Sequence, residues 1–229
     1  INFEGLRVVG SPNEIAKKYY EDGADELIYS DCVASLYGRN SLTDLVKDAV
    51  KNIFIPITIA GGIRSETDAD LLMRSGADKL GINSGLFTNN ELGKSLVQKF
   101  GSQSIILSIE AKKISKNSWE AYKNFGRDKT GMDVSEWLKK MSNYNFGEIL
   151  LTSIDADGIS NGFDVELYES VCKKINIPVI ACGGFGKLSH IKDLKRHSEI
   201  DAIAISKALH YEKITIKEIK NFINKIDDK

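Results

Sequence analysis

Ile55-Pro56-Ile57-Thr58-Ile59-Ala60-Gly61-Gly62 and Ile177-Pro178-Val179-Ile180-Ala181-Cys182-Gly183-Gly184 are one short phrase written twice, 122 residues apart. Each is a β-branched apolar run closed by a glycine pair, the pattern of a buried strand ending in a tight turn. Other positions keep the same offset. Glu26, at the start of an apolar run, falls on Glu148, and Ser84, at the end of one, falls on Ser206. A generic strand-to-helix unit accounts for one such match. Several at a single offset favour a duplicated half-domain.

Further apolar runs lie at Glu26–Ser30, Lys79–Asn83, Ser104–Glu110, Glu148–Ser153 and Asp201–Ser206, beside the two phrases at Ile57–Ala60 and Pro178–Cys182. They are near-continuous, as parallel strands covered on both faces are. Between them, segments of helical period cover 12–22, 41–53, 66–75, 91–99, 133–145, 164–175, 188–198 and 215–226. Ser65, Asp133 and Asp164 stand where N-caps belong. This strict alternation predicts an α/β fold with helices wrapped around a parallel sheet, and no linker divides it. One domain over residues 1–229 is expected. Seven strands are one fewer than a (β/α)8 barrel needs, and such barrels typically run to about 250 residues. The expected fold is a (β/α)8 TIM barrel of duplicated half-barrels whose first strand is missing from the chain. That strand is expected before Ile1, within about twenty further residues. A doubly wound open sheet is the alternative, but it normally announces a Gly-rich turn after its first strand.

Composition narrows the functions. The 229 residues carry 31 Lys+Arg against 32 Asp+Glu, so nothing draws the whole molecule to nucleic acid or anionic membrane. Phosphate binding has to be local. No apolar run has membrane-spanning length. Cys32, Cys172 and Cys182 form no CxxC, and the three histidines form no ligand-spaced cluster. A disulfide framework, a metal site and a cofactor are therefore not expected, and a reducing cytoplasm suits the chain.

In a barrel the functional groups sit at the carboxyl ends of the strands. Both glycine pairs are there, where a backbone without Cβ can approach a phosphate and a helix N-terminus adds a favourable dipole. Each pair is followed by a strand ending in small polar residues, Asn83-Ser84 in one half and Ser206 in the other. Two phosphate cradles across the mouth suit a ligand with a phosphate at each end. Asp31 and Thr152, at the ends of their strands, join them as candidate substrate contacts. Glu110 closes an otherwise apolar strand, where a carboxylate is costly unless it has a use as general acid or base. Its repeat mate falls about a dozen residues before Ile1. For Asp155 and Asp157, in Thr152-Ser153-Ile154-Asp155-Ala156-Asp157-Gly158, a turn-capping role competes with a functional one, and for Asp157 the two stand level. At the opposite end Glu26, Lys79 and Glu148 each start a strand. They can form an ion-paired ring or remain solvated strand ends, and spacing alone favours the latter.

The runs Asn2-Phe3-Glu4-Gly5-Leu6-Arg7, Gly23-Ala24-Asp25-Glu26-Leu27, Gly76-Ala77-Asp78-Lys79 and Gly147-Glu148-Ile149-Leu150-Leu151-Thr152-Ser153-Ile154-Asp155 closely resemble the cyclase subunit of imidazole glycerol phosphate synthase. The resemblance covers essentially the whole chain. It implies a barrel that takes ammonia from a glutaminase partner, in a heterodimer docked on the floor. That barrel then cleaves and cyclises a bis-phosphorylated ribulosyl aminoimidazole carboxamide nucleotide. It implies phosphate binding by Gly61, Gly62, Asn83, Ser84, Asp157, Gly158, Gly183, Gly184 and Ser206. It also makes Glu26, Lys79 and Glu148 a charged gate, places Thr58 on the ammonia path and turns Asp78 toward the partner. Two departures stand out. The family's first catalytic aspartate falls in the missing strand, and its second, in an Asp-Ala-Lys motif, is Glu110-Ala111-Lys112 here. The extra methylene moves the acid by about 1 Å, a displacement that can cost roughly a hundredfold in rate. Glu110 stays the catalytic candidate. One alternative is a paralogue that channels ammonia to the amidation of a surface-polysaccharide sugar. Another, the phosphosugar isomerase of the same pathway, lacks the insertion Lys112–Gly131, with its Trp119 and Tyr122, and needs no charged floor.

Overall fold

A computed structural model describes residues 8–32 and 42–227, so the motif Asn2–Arg7 lies outside the described residues. The first half of the described chain runs α1 (Pro12–Glu21), β1 (Leu27–Ser30), α2 (Leu42–Ala49), β2 (Ile57–Ala60), α3 (Glu66–Arg74), β3 (Lys79–Ile82), α4 (Ser84–Thr88) and α5 (Glu91–Phe100). After β4 (Ile105–Ser115) come two further strands, β5 (Ser118–Lys123) and β6 (Asp128–Asp133). Then follow α6 (Val134–Met141), β7 (Glu148–Ser153), α7 (Val165–Cys172), β8 (Val179–Cys182), α8 (Ser189–His197), β9 (Ala202–Ala204), α9 (Lys207–His210) and α10 (Ile216–Asp227). The short helices α4 and α9, each just past a strand end, are absent from the sequence expectation. At five and four residues they are too short to carry a helical period.

Seven strands pair in parallel in the order β1-β2-β3-β4-β7-β8-β9. Alternation along each strand divides the side chains between two cores. Ile57, Ile59, Ile105, Leu107, Ile109, Ile149, Leu151, Val179 and Ala181 pack outward under the helices. Ile106, Leu150 and Ile180 form a separate inner cluster with Ile28, Cys182 and Ala204. Contact between β1, β4 and β9 side chains requires the sheet to curl, and the fold is that of a (β/α)8 barrel with seven of its parallel strands among the described residues.

The ladder repeats as the sequence does, with one correction. Leu27 pairs with Ile57 and Ile149 with Val179, an offset of 122 for both partners. Ile59 pairs with Leu80 and Ala181 with Ile203, an offset of 122 for one partner and 123 for the other. One extra residue therefore lies between β8 and β9. The carboxylates that cap neighbouring strands agree: Asp78 accepts from Ile57 N and Asp201 from Val179 N, both at 2.8 Å. Asn83, not Ser84, is thus the counterpart of Ser206. Both precede a short helix in nearly the same conformation, φ −127° and ψ −83° against φ −121° and ψ −72°.

The three expected N-caps all form. Ser65, Asp133 and Asp164 accept from the backbone N–H of Asp68, Ser135 and Leu167. Ser65 Oγ also donates to Asp68 Oδ2 at 2.8 Å, and that oxygen receives Arg64 N at 3.0 Å. Ser65→Ala removes one acceptor and frees Asp68, so a loss of about 1 kcal/mol is expected in urea unfolding.

Candidate active site at the barrel mouth

The carboxyl ends of the strands surround one cavity. Asp31, Gly61, Gly62, Asn83, Ser84, Glu110, Thr152, Asp157, Gly158 and Ser206 all line it, so most of the predicted site residues converge on one space. Gly183 and Gly184 do not line it. They are buried behind Cys182, and packing explains why glycine is needed there. A Cβ on Gly183 would lie 2.7 Å from Ser153 O, and one on Gly184 would lie 2.0 Å from Gly162 O. In the first half a Cβ on Gly61 would lie 2.5 Å from Asp31 O, the repeat equivalent of Ser153. Close backbone approach explains Gly61, Gly183 and Gly184 before any ligand is considered.

Glu110 is 8% exposed, at the end of the barrel portion of β4. Burial pushes its carboxyl up to about 7, against the opposing pull of the Gly126 N–H, the Asn83 amide and the Arg127 guanidinium. Gly126 N donates to Glu110 Oε2 at 2.7 Å. A carboxyl divided between its two forms near neutral pH can both take and give a proton.

The insertion after Glu110 is a β-meander, with β4 continuing past the barrel and pairing antiparallel with β5, which pairs with β6. Trp119 anchors it from a buried position, its Nε1 donating at 2.9 Å to Asp164, the N-cap of α7. The β5–β6 loop then lies across the mouth. Asn83 Nδ2 donates to Tyr122 O at 3.0 Å, and Asn124 N donates to Ser84 Oγ at 2.8 Å. Arg127 donates to Cys32 O at 3.1 Å, and Phe125 lines the cavity. Asn124, Phe125 and Gly126 all have positive φ, at 54°, 59° and 70°. Sequence reasoning singled out Trp119 and Tyr122 but missed this loop, for which Asn124-Phe125-Gly126 was the available signal. Asp155 is held in the scaffold by a long-range bond and not by its own turn: its Oδ2 accepts from Lys113 N of β4 at 2.7 Å.

At the floor, Lys79 Nζ lies 2.9 Å from Glu26 and 2.6 Å from Glu148. The three residues are an ion-paired set, and the solvated-ends alternative is set aside. Burial tends to lower the Lys79 pKa, but hydrogen bonds to Glu148 and Glu26 outweigh it and raise the value, keeping the amine charged. Thr58 pairs with Lys79 in the sheet, and its buried Oγ1 has no hydrogen-bond partner among the described residues. Asp78 stands exposed beside the set while one of its oxygens caps β2.

Seven parallel strands, a cavity at their carboxyl ends and a buried acid within it define a (β/α)8-barrel enzyme. The chain belongs to the histidine biosynthesis protein family, whose model matches residues 1–215. It is similar to imidazole glycerol phosphate synthase subunit HisF of Legionella pneumophila, with 54% identity over 188 residues, 82% of this chain and 89% of the relative. It is also similar to the protein of that name from Clostridium botulinum strain Okra, with 42% identity over 224 residues, 97% of this chain and 88% of the relative. No described helix is long and apolar enough to cross a membrane.

Proposed function

We propose that this chain is a cyclase subunit of imidazole glycerol phosphate synthase and that it works in the cytoplasm as one barrel domain. Its substrate is the bis-phosphorylated ribulosyl aminoimidazole carboxamide nucleotide, and its nitrogen comes as ammonia from a glutaminase partner on the floor. The observation that carries this is the buried carboxyl of Glu110 at a mouth lined by Gly61, Asn83, Ser84, Asp157 and Ser206. Ring formation from ammonia and a carbonyl needs protons moved on and off nitrogen and oxygen, and a buried carboxyl near half-protonation at pH 7 is suited to both. Gly61, Gly62, Asn83 and Ser84 hold one phosphate. Asp157, Gly158 and Ser206 hold the other, with Gly183 and Gly184 supporting their loop, while Asp31 and Thr152 contact the body of the ligand. Thr58, a buried hydroxyl in want of a partner just above the floor, is a stepping point for a small polar molecule.

Purified full-length protein given the bis-phosphorylated nucleotide and an ammonium salt should consume it, and absence of turnover would overturn the assignment. The gate makes a separate prediction. Lys79→Met leaves Glu26 and Glu148 facing each other without their cation. Glutamine-driven turnover with the partner should then fall more than turnover driven by free ammonium. The two carboxylates are partly exposed, so the accompanying loss of stability in urea unfolding should stay at about 1–3 kcal/mol.

A further inference from the structure

The two ends of the mouth are not alike, although the fold repeats. The strand registers and the short helices make Ser84 and Lys207 equivalent positions, each the first residue of its helix. In the first half that residue is a hydroxyl already receiving Asn124 N. In the second half it is an ammonium on a flexible stem. The Lys207 side chain lines the cavity, half-buried, and its Nζ donates to the Gly158 carbonyl. It therefore spans the gap between Ser206 after β9 and the Asp157-Gly158 turn after β7.

We propose that Lys207 is the phosphate-binding cation of the second cradle, exchanging the Gly158 carbonyl for a phosphate oxygen when ligand enters. This rests on the assignment of the mouth to a doubly phosphorylated ligand. Electrostatics call for such a group. Asp31, Glu110 and Asp157 all line the same cavity, while each phosphate monoester brings about −1.5 to −2 charges at neutral pH. A neutral carbonyl is a weaker partner for an ammonium than a phosphate dianion, so the exchange is favourable. The side chain is already ordered at the site, which lowers the entropic cost of closing on the ligand. The charge also breaks the pseudo-symmetry. The two ends present different groups to a ligand: the Lys207 ammonium beside Ser206 at one, and at the other the loop-covered Ser84 hydroxyl with Arg64 just past Gly62.

The test uses inorganic phosphate as probe and the full chain as protein. Amide NMR shifts of Gly158 and Lys207 report the second cradle, and those of Gly62 and Ser84 the first. In the wild type, phosphate should shift both sets. Lys207→Met should weaken the second site by about tenfold to a hundredfold and leave the first unchanged, so the first site is the internal control for folding. Lys207→Arg should stay within about threefold of wild type, since it keeps the charge. Equal phosphate affinity of the second site in Lys207→Met and wild type would overturn the role of Lys207 alone. No phosphate response at either cradle in the wild type would overturn the bisphosphate assignment itself.

Discussion

Glu110→Gln is expected to lower turnover of the bis-phosphorylated nucleotide by about a thousandfold, within the range that general acid–base groups contribute, while leaving substrate affinity nearly unchanged. The amide keeps the size of the acid and can still accept the Gly126 N–H, so the β5–β6 loop stays in place. What it loses is the exchangeable proton. Steady-state kinetics at saturating ammonium measure this directly, and a variant within tenfold of wild type would remove Glu110 from the chemistry.

Stability should move the other way. The folded-state pKa of Glu110 is raised by burial to about 7, above the ordinary carboxylate value. Between those two values the folded protein holds a proton that the unfolded chain has lost, so stability falls as pH rises across that window. The span corresponds to about 3 kcal/mol at its upper end. Glu110→Gln has no ionised form to bury. Burial lowers the His190 and His210 pKa values in both proteins, so it is the difference between them that isolates Glu110: Glu110→Gln should gain on the wild type from pH 5 to pH 8 and be the more stable protein at pH 8. Parallel urea titrations at the two pH values check this, and parallel slopes would mean that the carboxyl is not desolvated. A residue that costs stability at working pH and is essential to turnover is characteristic of an active site.

The parallel strands were legible because both of their faces are apolar, and runs such as Ile57–Ala60 need no tertiary information to be recognised. Caps were legible for a similar reason: Ser65, Asp133 and Asp164 satisfy N–H groups two or three residues away. Long-range consequences were not. The extra residue between β8 and β9 shows only in cross-strand register, so Ser84 was matched to Ser206 where Asn83 belongs. The ring of Glu26, Lys79 and Glu148 needs barrel curvature to bring the carboxylates of two strand starts within 3 Å of the ammonium of a third. The β5–β6 loop reaches Glu110, Ser84 and Cys32 from 16, 40 and 95 residues away, and no local pattern encodes where a loop will land.

Gly184→Ala should be the most damaging single methyl group in the second half-barrel. The Gly184 backbone has φ +99°, a region L side chains rarely adopt. Its added Cβ would stand 2.0 Å from the Gly162 carbonyl oxygen and 2.7 Å from its carbon. Neither atom is the tip of a flexible side chain, so the backbone must move. Moving it strains or breaks the Gly162 N–H bond to Gly184 O, 2.9 Å in the wild type. The 158–163 segment that shifts carries Gly158, which lines the cavity and receives Lys207, and Phe163, which packs in the core. Backbone strain, a lost hydrogen bond and disturbed packing sum to about 3–4 kcal/mol of stability, at the upper end for single substitutions. Gly23→Ala is the matched control. Its φ is +92°, but an added Cβ meets nothing within 4 Å, so it reports the conformational cost alone, about 1–2 kcal/mol. Phosphate response should separate the two as well. Gly184→Ala should lose binding at the Ser206 end and keep it at Gly62, whereas Gly23→Ala should keep both. Equal destabilisation by the two substitutions would mean that the 158–163 segment yields to the methyl group without cost, and that Gly184 serves a ligand and not the backbone packed against it.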